Sequence, residues 1–334
     1  MNYGLLILGM FIITLDLIDL VWATLWVDHG AGPISKSVAN NLWVLMKKID
    51  KNNKILMLSG PIILVINLLI WVLVLWLGWT LVFLSFNDGL INTINESSVE
   101  VIDYFYYTGY VLFTLGSGEL APVPSAMKLL SAFASGLGMI FLTLGVSYII
   151  SIIDGVVKKR TIGRHISSMG MTAEDIVLSS WSGDYFYNLD NIFNTLTTGI
   201  DEITFKERAY PLLHFYHGKD RHYSLTYNLS ILDDAISVLE YGIKGGQNLN
   251  MLALRQLRSS INLYVESFGE FGKDLFELQD KLPDINLKLL KEKNMPVISQ
   301  EEFNNRLEKI KFRRVLLADI SKENWDILPD FRDA

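Results

Sequence analysis

VEVIDYFYYTGYVLFTLGSGE, residues Val99 to Glu119, is the stretch on which the reading of this chain turns. Val99 to Phe113 is apolar and aromatic but too short to cross a hydrocarbon core, which takes about 20 helical residues. A re-entrant helix fits that length. The backbone that follows, Thr114-Leu115-Gly116-Ser117-Gly118-Glu119, has to be non-helical at membrane depth, and lipid tolerates that only where the backbone is buried in protein or lines water. Glycines at alternate positions give access to φ > 0. Successive carbonyls from Thr114 through Ser117 can then turn toward one axis and replace the hydration shell of a cation.

The flanking sequence agrees with this reading. Ile55 to Phe86, with Trp71, Trp76 and Trp79, reads as one membrane span, and Ser125 to Val157 as another. Tyr3 to Val27, apolar except for Asp16 and Asp19, is a third; no Lys or Arg precedes its apolar run, so a cleaved signal peptide is the weaker reading. Asp16 and Asp19 are expected to face protein, water or an interface and to serve interhelical hydrogen bonding or polar packing, an ion- or proton-linked role being the weaker reading. Pro33 to Lys54 interleaves Lys36, Lys47, Lys48, Lys51 and Lys54 with Leu42, Trp43, Leu45 and Met46, as an amphipathic helix at a membrane surface would.

Composition divides the chain in the same place. A net charge of −7 and 50% hydrophobic residues over 334 positions describe no uniform soluble protein. Up to Val157 there are 6 Lys+Arg and 10 Asp+Glu, and beyond it 23 and 26. The expected domains are therefore 1–54 (N-terminal span and interfacial helix), 55–157 (pore module) and 158–334 (a helical, charged domain). The absence of cysteine excludes disulfides, thiolate metal sites and a cysteine nucleophile. The acidic balance speaks against a nucleic-acid partner. Basic residues cluster before the second span and, as Lys158, Lys159, Arg160 and Arg164, after the third, so the positive-inside rule puts both clusters in the cytoplasm. Asn87 to Pro124 carries Asp88, Glu96, Glu100, Asp103 and Glu119 with no Lys or Arg, and is assigned outside.

These residues resemble the P-loop cation channels, the superfamily of potassium channels, whose filter reads T-V-G-Y-G-D after a pore helix and before an inner helix. The resemblance covers about Ile55 to Val157. It implies a homotetramer in the lipid bilayer, with Thr114, Leu115, Gly116, Ser117 and Gly118 as the filter and Glu119 at its outer mouth. It also implies an inner-helix hinge at Gly136, Gly138 or Gly145. The departures bear on selectivity: Leu115 stands for valine, and Ser117 for the tyrosine whose ring holds a potassium filter at its working diameter. Passage of sodium as well as potassium is the expectation, and the excess of outer acids favours cations in either case.

From Thr161 onward the pattern is helical: Leu189–Ile200, Leu225–Tyr241, Leu252–Phe276 and Phe303–Leu317, broken at Gly218, Gly245-Gly246 and Pro283. His214 and His217 are three apart, with Asp220 and His222 nearby, but their aromatic neighbours favour packing over metal, and no metal site is assigned. Glu266, Glu270, Asp274, Glu277 and Asp280 read as a solvated helix face. No G-x-S-x-G, H-E-x-x-H or Walker loop is present, so the chain is not read as an enzyme and no cofactor is expected beyond permeant K+ and Na+. The whole predicts an all-α membrane protein of three spans with a re-entrant pore helix, set in a plasma membrane of bacterial inner-membrane type. Its cytoplasmic helical domain gates the inner helix, with an unidentified cytoplasmic ligand or protein partner left open. The competing reading is a membrane-anchored interaction or signalling scaffold.

Overall fold

A computed structural model describes residues 1–26, 30–49, 56–94, 99–116, 118–217, 220–245, 249–267 and 282–325. The chain forms two compact units, Met1–Ile153 with Ala209–Phe215, and Asp154–Arg208 with Tyr216–Ala334.

The first unit is built on α1 (Tyr3–Leu25), α2 (Pro33–Ile49), α3 (Ser59–Leu84), α4 (Val101–Leu112) and the first part of α5 (Ser125–Ser167). Three helical stretches, Tyr3–Leu25, Leu56–Leu84 and Ser125–Ser167, are long and apolar enough to cross a membrane. Helix α1 runs against α3 at small residues: a Cβ on Gly9 would lie 2.6 Å from Gly78 O, so the two backbones meet where only glycine fits. Asn2 caps α1 through Gly4 N–H at 3.1 Å, and the Asn2 N–H reaches Ser85 O at 2.7 Å, tying the start of α1 to the end of α3.

Asp19 has the hydrogen-bonding role expected of it, with an unexpected partner. Fully buried, it accepts from Ile34 N–H (2.7 Å), Ser35 N–H (3.2 Å), Ser35 Oγ–H (2.5 Å) and Trp71 Nε1–H (2.8 Å). A carboxylate of α1 therefore caps the N-terminus of α2, satisfying amides that lipid would leave orphaned. The same carboxylate binds Trp71, about three turns into α3, so α2 packs beside α3. Within the Pro33–Lys54 stretch expected to form an amphipathic helix, α2 covers Pro33–Ile49, and an internal cap replaces water at its first turn. Asp16 is equally buried, and its carboxyl oxygens meet no hydrogen-bond donor among the described residues.

The second unit contains the end of α5, then α6 (Ala173–Ser179), α7 (Leu189–Ala209, whose last residue belongs to the first unit), α8 (Leu225–Ser237), α9 (Met251–Glu266), α10 (Lys288–Glu292), α11 (Gln300–Leu307) and α12 (Lys311–Trp325). All of α8 is buried, including its charges. Arg313 Nε–H donates to Asp233 at 2.9 Å and Arg314 Nε–H to Asp234 at 2.7 Å, so a tandem acid pair meets a tandem arginine pair. Burial pushes the Asp234 carboxyl above its usual range even though Arg314 pulls it down. The buried Lys159 ammonium lies 2.8 Å from Glu207, joining α5 to α7.

Three of the predicted helical stretches stand with shifted ends; of the fourth, Leu252–Phe276, α9 (Met251–Glu266) covers the first part, and residues 268–276 lie outside the described residues. Leu189–Ile200 continues to Ala209, Leu225–Tyr241 becomes α8 plus a π-helical turn Val238–Gly242, and Phe303–Leu317 is divided between α11 and α12 by a 3-10 turn at Glu308–Ile310. Within the acidic stripe, Glu270, Asp274, Glu277 and Asp280 lie outside the described residues. His214 belongs to a short 3-10 turn, Pro211–Phe215, that ends before His217, so the two histidines share no helix face; His222 Nδ1 sits 2.6 Å from Asp220.

Candidate ion pathway

Helix α4 is the short apolar helix expected before the glycine segment, and its seat is built from both neighbouring long helices. Asp103 accepts from the Glu100 N–H at 2.8 Å, closing the first turn. Trp76 of α3 donates its Nε1–H to Phe105 O at 2.9 Å, and Gly109 is required beneath the same indole, where a Cβ would stand 2.9 Å from Trp76 Cζ2. Tyr107 Oη lies 2.7 Å from Ser131 Oγ of α5. Gly138 of α5 passes the last residue of α4 so closely that a Cβ would meet Leu112 O at 2.2 Å.

Beyond α4 the chain turns with alternating handedness. Thr114 has φ +57° and Gly116 φ +74°, while Leu115 between them is not in the left-handed region. The positive φ at Gly116 follows from the sequence; that at Thr114 does not, because a β-branched residue resists this conformation. Gly118 needs no such allowance: its φ is not positive, and among the described residues nothing lies within 4 Å of a Cβ placed on it. Thr114, Leu115, Gly116, Gly118 and Glu119 are all exposed in the single chain, and Ser117 lies outside the described residues.

A two-stranded ribbon holds the far side of this segment, and no sequence signal announced it. β1 (Leu90–Asn92) pairs antiparallel with β2 (Leu120–Pro122), Ile91 opposite Ala121. Thr93 extends the pairing: its N–H donates to Glu119 O at 2.8 Å and its hydroxyl to Gly118 O at 2.8 Å. Residues 114–116 and 118–119 thus lie between the end of half-buried α4 and a ribbon anchored beside the end of α3.

Helix α5 continues without a break through Gly136, Gly138 and Gly145 to Ser167, past the apolar run that ends at Val157. Of the three glycines, Gly138 is committed to the contact with Leu112; Gly136 has open space around it, and Gly145 has Leu68 Cδ2 at 3.4 Å. Thr143, Ser147 and Ser151 return their hydroxyls to the carbonyls of Met139, Thr143 and Ser147 at 2.8, 3.0 and 3.0 Å, which lets polar side chains sit on an apolar helix.

A family described as ion channel matches residues 69–154, which run from within α3, through α4 and the glycine segment, along α5. The membrane protein YdjJ of Bacillus subtilis (strain 168) is 33% identical over 321 residues, covering 96% of this chain and 94% of its own. The chain belongs to the same family as that membrane protein. The ion-channel match takes in the second and third spans with α4 between them, the part of the chain that resembles a potassium-channel-like two-span pore module. The family resemblance carried by the Thr114–Glu119 segment thus agrees with a match that extends well beyond it. No solved structure matches the chain.

Proposed function

We propose that four copies of this chain surround a pore for monovalent cations, with Thr114, Leu115, Gly116, Ser117 and Gly118 as its filter and Glu119 at the outer mouth. The observation that carries this is the alternating backbone at Thr114 and Gly116, hung at the end of a short helix packed on α3 and α5 and left exposed by a single chain. An exposed, strained segment of this kind is explained when copies complete it; strain is retained where it serves a function. Potassium and sodium both pass, because Ser117 supplies no ring to fix the outer half of the filter. The basic cluster from Lys158 to Arg164 supports a cytoplasmic second unit and a plasma-membrane location. That unit gates the pore through α5, which bends at Gly136 or Gly145. Purified protein in liposomes should take up potassium or sodium down an imposed gradient; absence of flux would favour the scaffold reading.

Glu119 sharpens the proposal. Glu119→Gln removes one charge per chain from the mouth, and the loop holds no Lys or Arg to offset it. Such charges raise the local cation concentration, and salt screens them over about 10 Å at 0.1 M. Single-channel conductance of the variant should fall at low ionic strength and recover as salt is raised. A loss equal at every salt concentration would assign Glu119 to holding the filter in shape.

A further inference from the structure

Between α7 and the rest of the second unit the chain makes a detour. After Arg208 it contributes Ala209–Phe215 to the membrane unit, and from Tyr216 it returns. Within the membrane unit this short strap touches three elements. Leu212 and Leu213 are buried. Phe215 O accepts from the fully buried Ser59 Oγ–H at 2.7 Å, at the first residue of α3, and the Phe215 ring packs on Trp43 of α2 with centroids 5.5 Å apart. Tyr210 packs on Tyr148 of α5 at 5.9 Å, and Tyr148 in turn packs on Trp71 of α3 at 5.5 Å. Trp71 is the indole bound to Asp19. One side chain of the inner helix is therefore held between the outer helix and the strap, close to Ile153, where α5 leaves the membrane unit.

We propose that Ala209–Phe215 is a coupling strap through which the helical unit controls the position of the inner helix. A contact shifts a conformational equilibrium only if it differs between the states. Tyr148 rides on α5, whereas Trp71 is fixed by the Asp19 carboxylate that also caps α2, so movement of α5 at this level must remake the ring contacts of Tyr148. Tension or release in the strap reaches the same side chain. The strap acts on gating and leaves permeation alone, since its contacts among the described residues are with Ser59, Trp43 and Tyr148.

This inference rests on the channel reading, and its test separates the two. Tyr210→Ala removes the ring against Tyr148, and Phe215→Leu keeps the burial while removing the ring against Trp43. In proteoliposome recordings both variants should change the open-to-closed ratio by about fivefold or more, as expected for lost aromatic pairs in several subunits, with conductance and reversal potential unaltered. Tyr210→Phe should restore unmodified gating. Hydrogen exchange of residues 145–153, which needs no current, should quicken in Tyr210→Ala by about the same factor. Unaltered gating and unaltered exchange in both ring-loss variants would overturn the strap. If the unmodified protein carries no current, the channel reading falls, and the exchange measurement alone decides whether the strap restrains α5.

Discussion

Gly138→Ala is expected to abolish conduction, although alanine is the better helix former. In an exposed helix interior the replacement gains roughly 1 kcal/mol. Here the new Cβ would sit 2.2 Å from Leu112 O, 3.0 Å from Leu112 C and 3.1 Å from Leu112 Cα. All three are backbone atoms at the end of α4, so no rotamer change relieves the overlap. Helix α4 has little room to yield, because Trp76 holds Phe105 O and Gly109 while Tyr107 holds Ser131. Overpacking of a close-packed site costs about 1–3 kcal/mol or more, and the displacement it forces passes directly into Thr114, two residues beyond Leu112. Ion flux should drop by on the order of 100-fold, since misplacement by about 1 Å has effects of that size at sites that depend on geometry. Gly136→Ala, with nothing within 4 Å, should raise the thermal unfolding temperature in detergent, and Gly138→Ala should lower it. Normal flux through Gly138→Ala would show that α4 and α5 do not hold the filter as described.

Gly116→Ala should be nearly as damaging for a different reason. Within one chain no atom of the described residues lies within 4 Å of the added Cβ, so inside the chain the effect is conformational. At φ +74° an L-residue is disfavoured by about 1–2 kcal/mol, and the penalty recurs in every copy around the pore. The alanine backbone would relax toward negative φ and turn the carbonyl with it. Conductance should fall more than about tenfold with oligomer assembly intact, because the helices and their contacts are untouched. Gly118→Ala should be less damaging than Gly116→Ala, since its φ is not positive and no strained backbone has to be relieved. The reverse order, with Gly118 sensitive and Gly116 tolerant, would contradict the alternating backbone as the feature that matters.

The three long helices and α4 were legible because hydropathy and length decide them: spans need about 20 apolar residues, and Val99–Phe113 is too short for one. The end of α5 was not, since Lys158 to Arg164 stops an apolar run without stopping a helix; the basic residues are good helix formers, and Gly163 packs against Tyr223 O with 2.8 Å to an added Cβ. Thr114 escaped because its left-handed φ is imposed by its surroundings against its own preference. The ribbon of Leu90–Asn92 with Leu120–Pro122 is too short to show a period of two, and its partners are separated by all of α4. Asp19 was read as an interhelical hydrogen-bonding group, but its burial and its partner depend on how α2 folds back beside α3. The strap at Ala209–Phe215 carries no local mark of its place in the membrane unit, because that place is made by long-range contacts with Ser59, Trp43 and Tyr148.

The most direct measurement is the reversal potential of the reconstituted protein with potassium on one side and sodium on the other, repeated under a chloride gradient. The account predicts a potential near zero in the first condition, as for a pore that passes both cations, and no response to chloride in the second. A potential approaching the pure potassium limit would contradict the weak selectivity argued from Ser117, and one that follows chloride would contradict the cation channel itself.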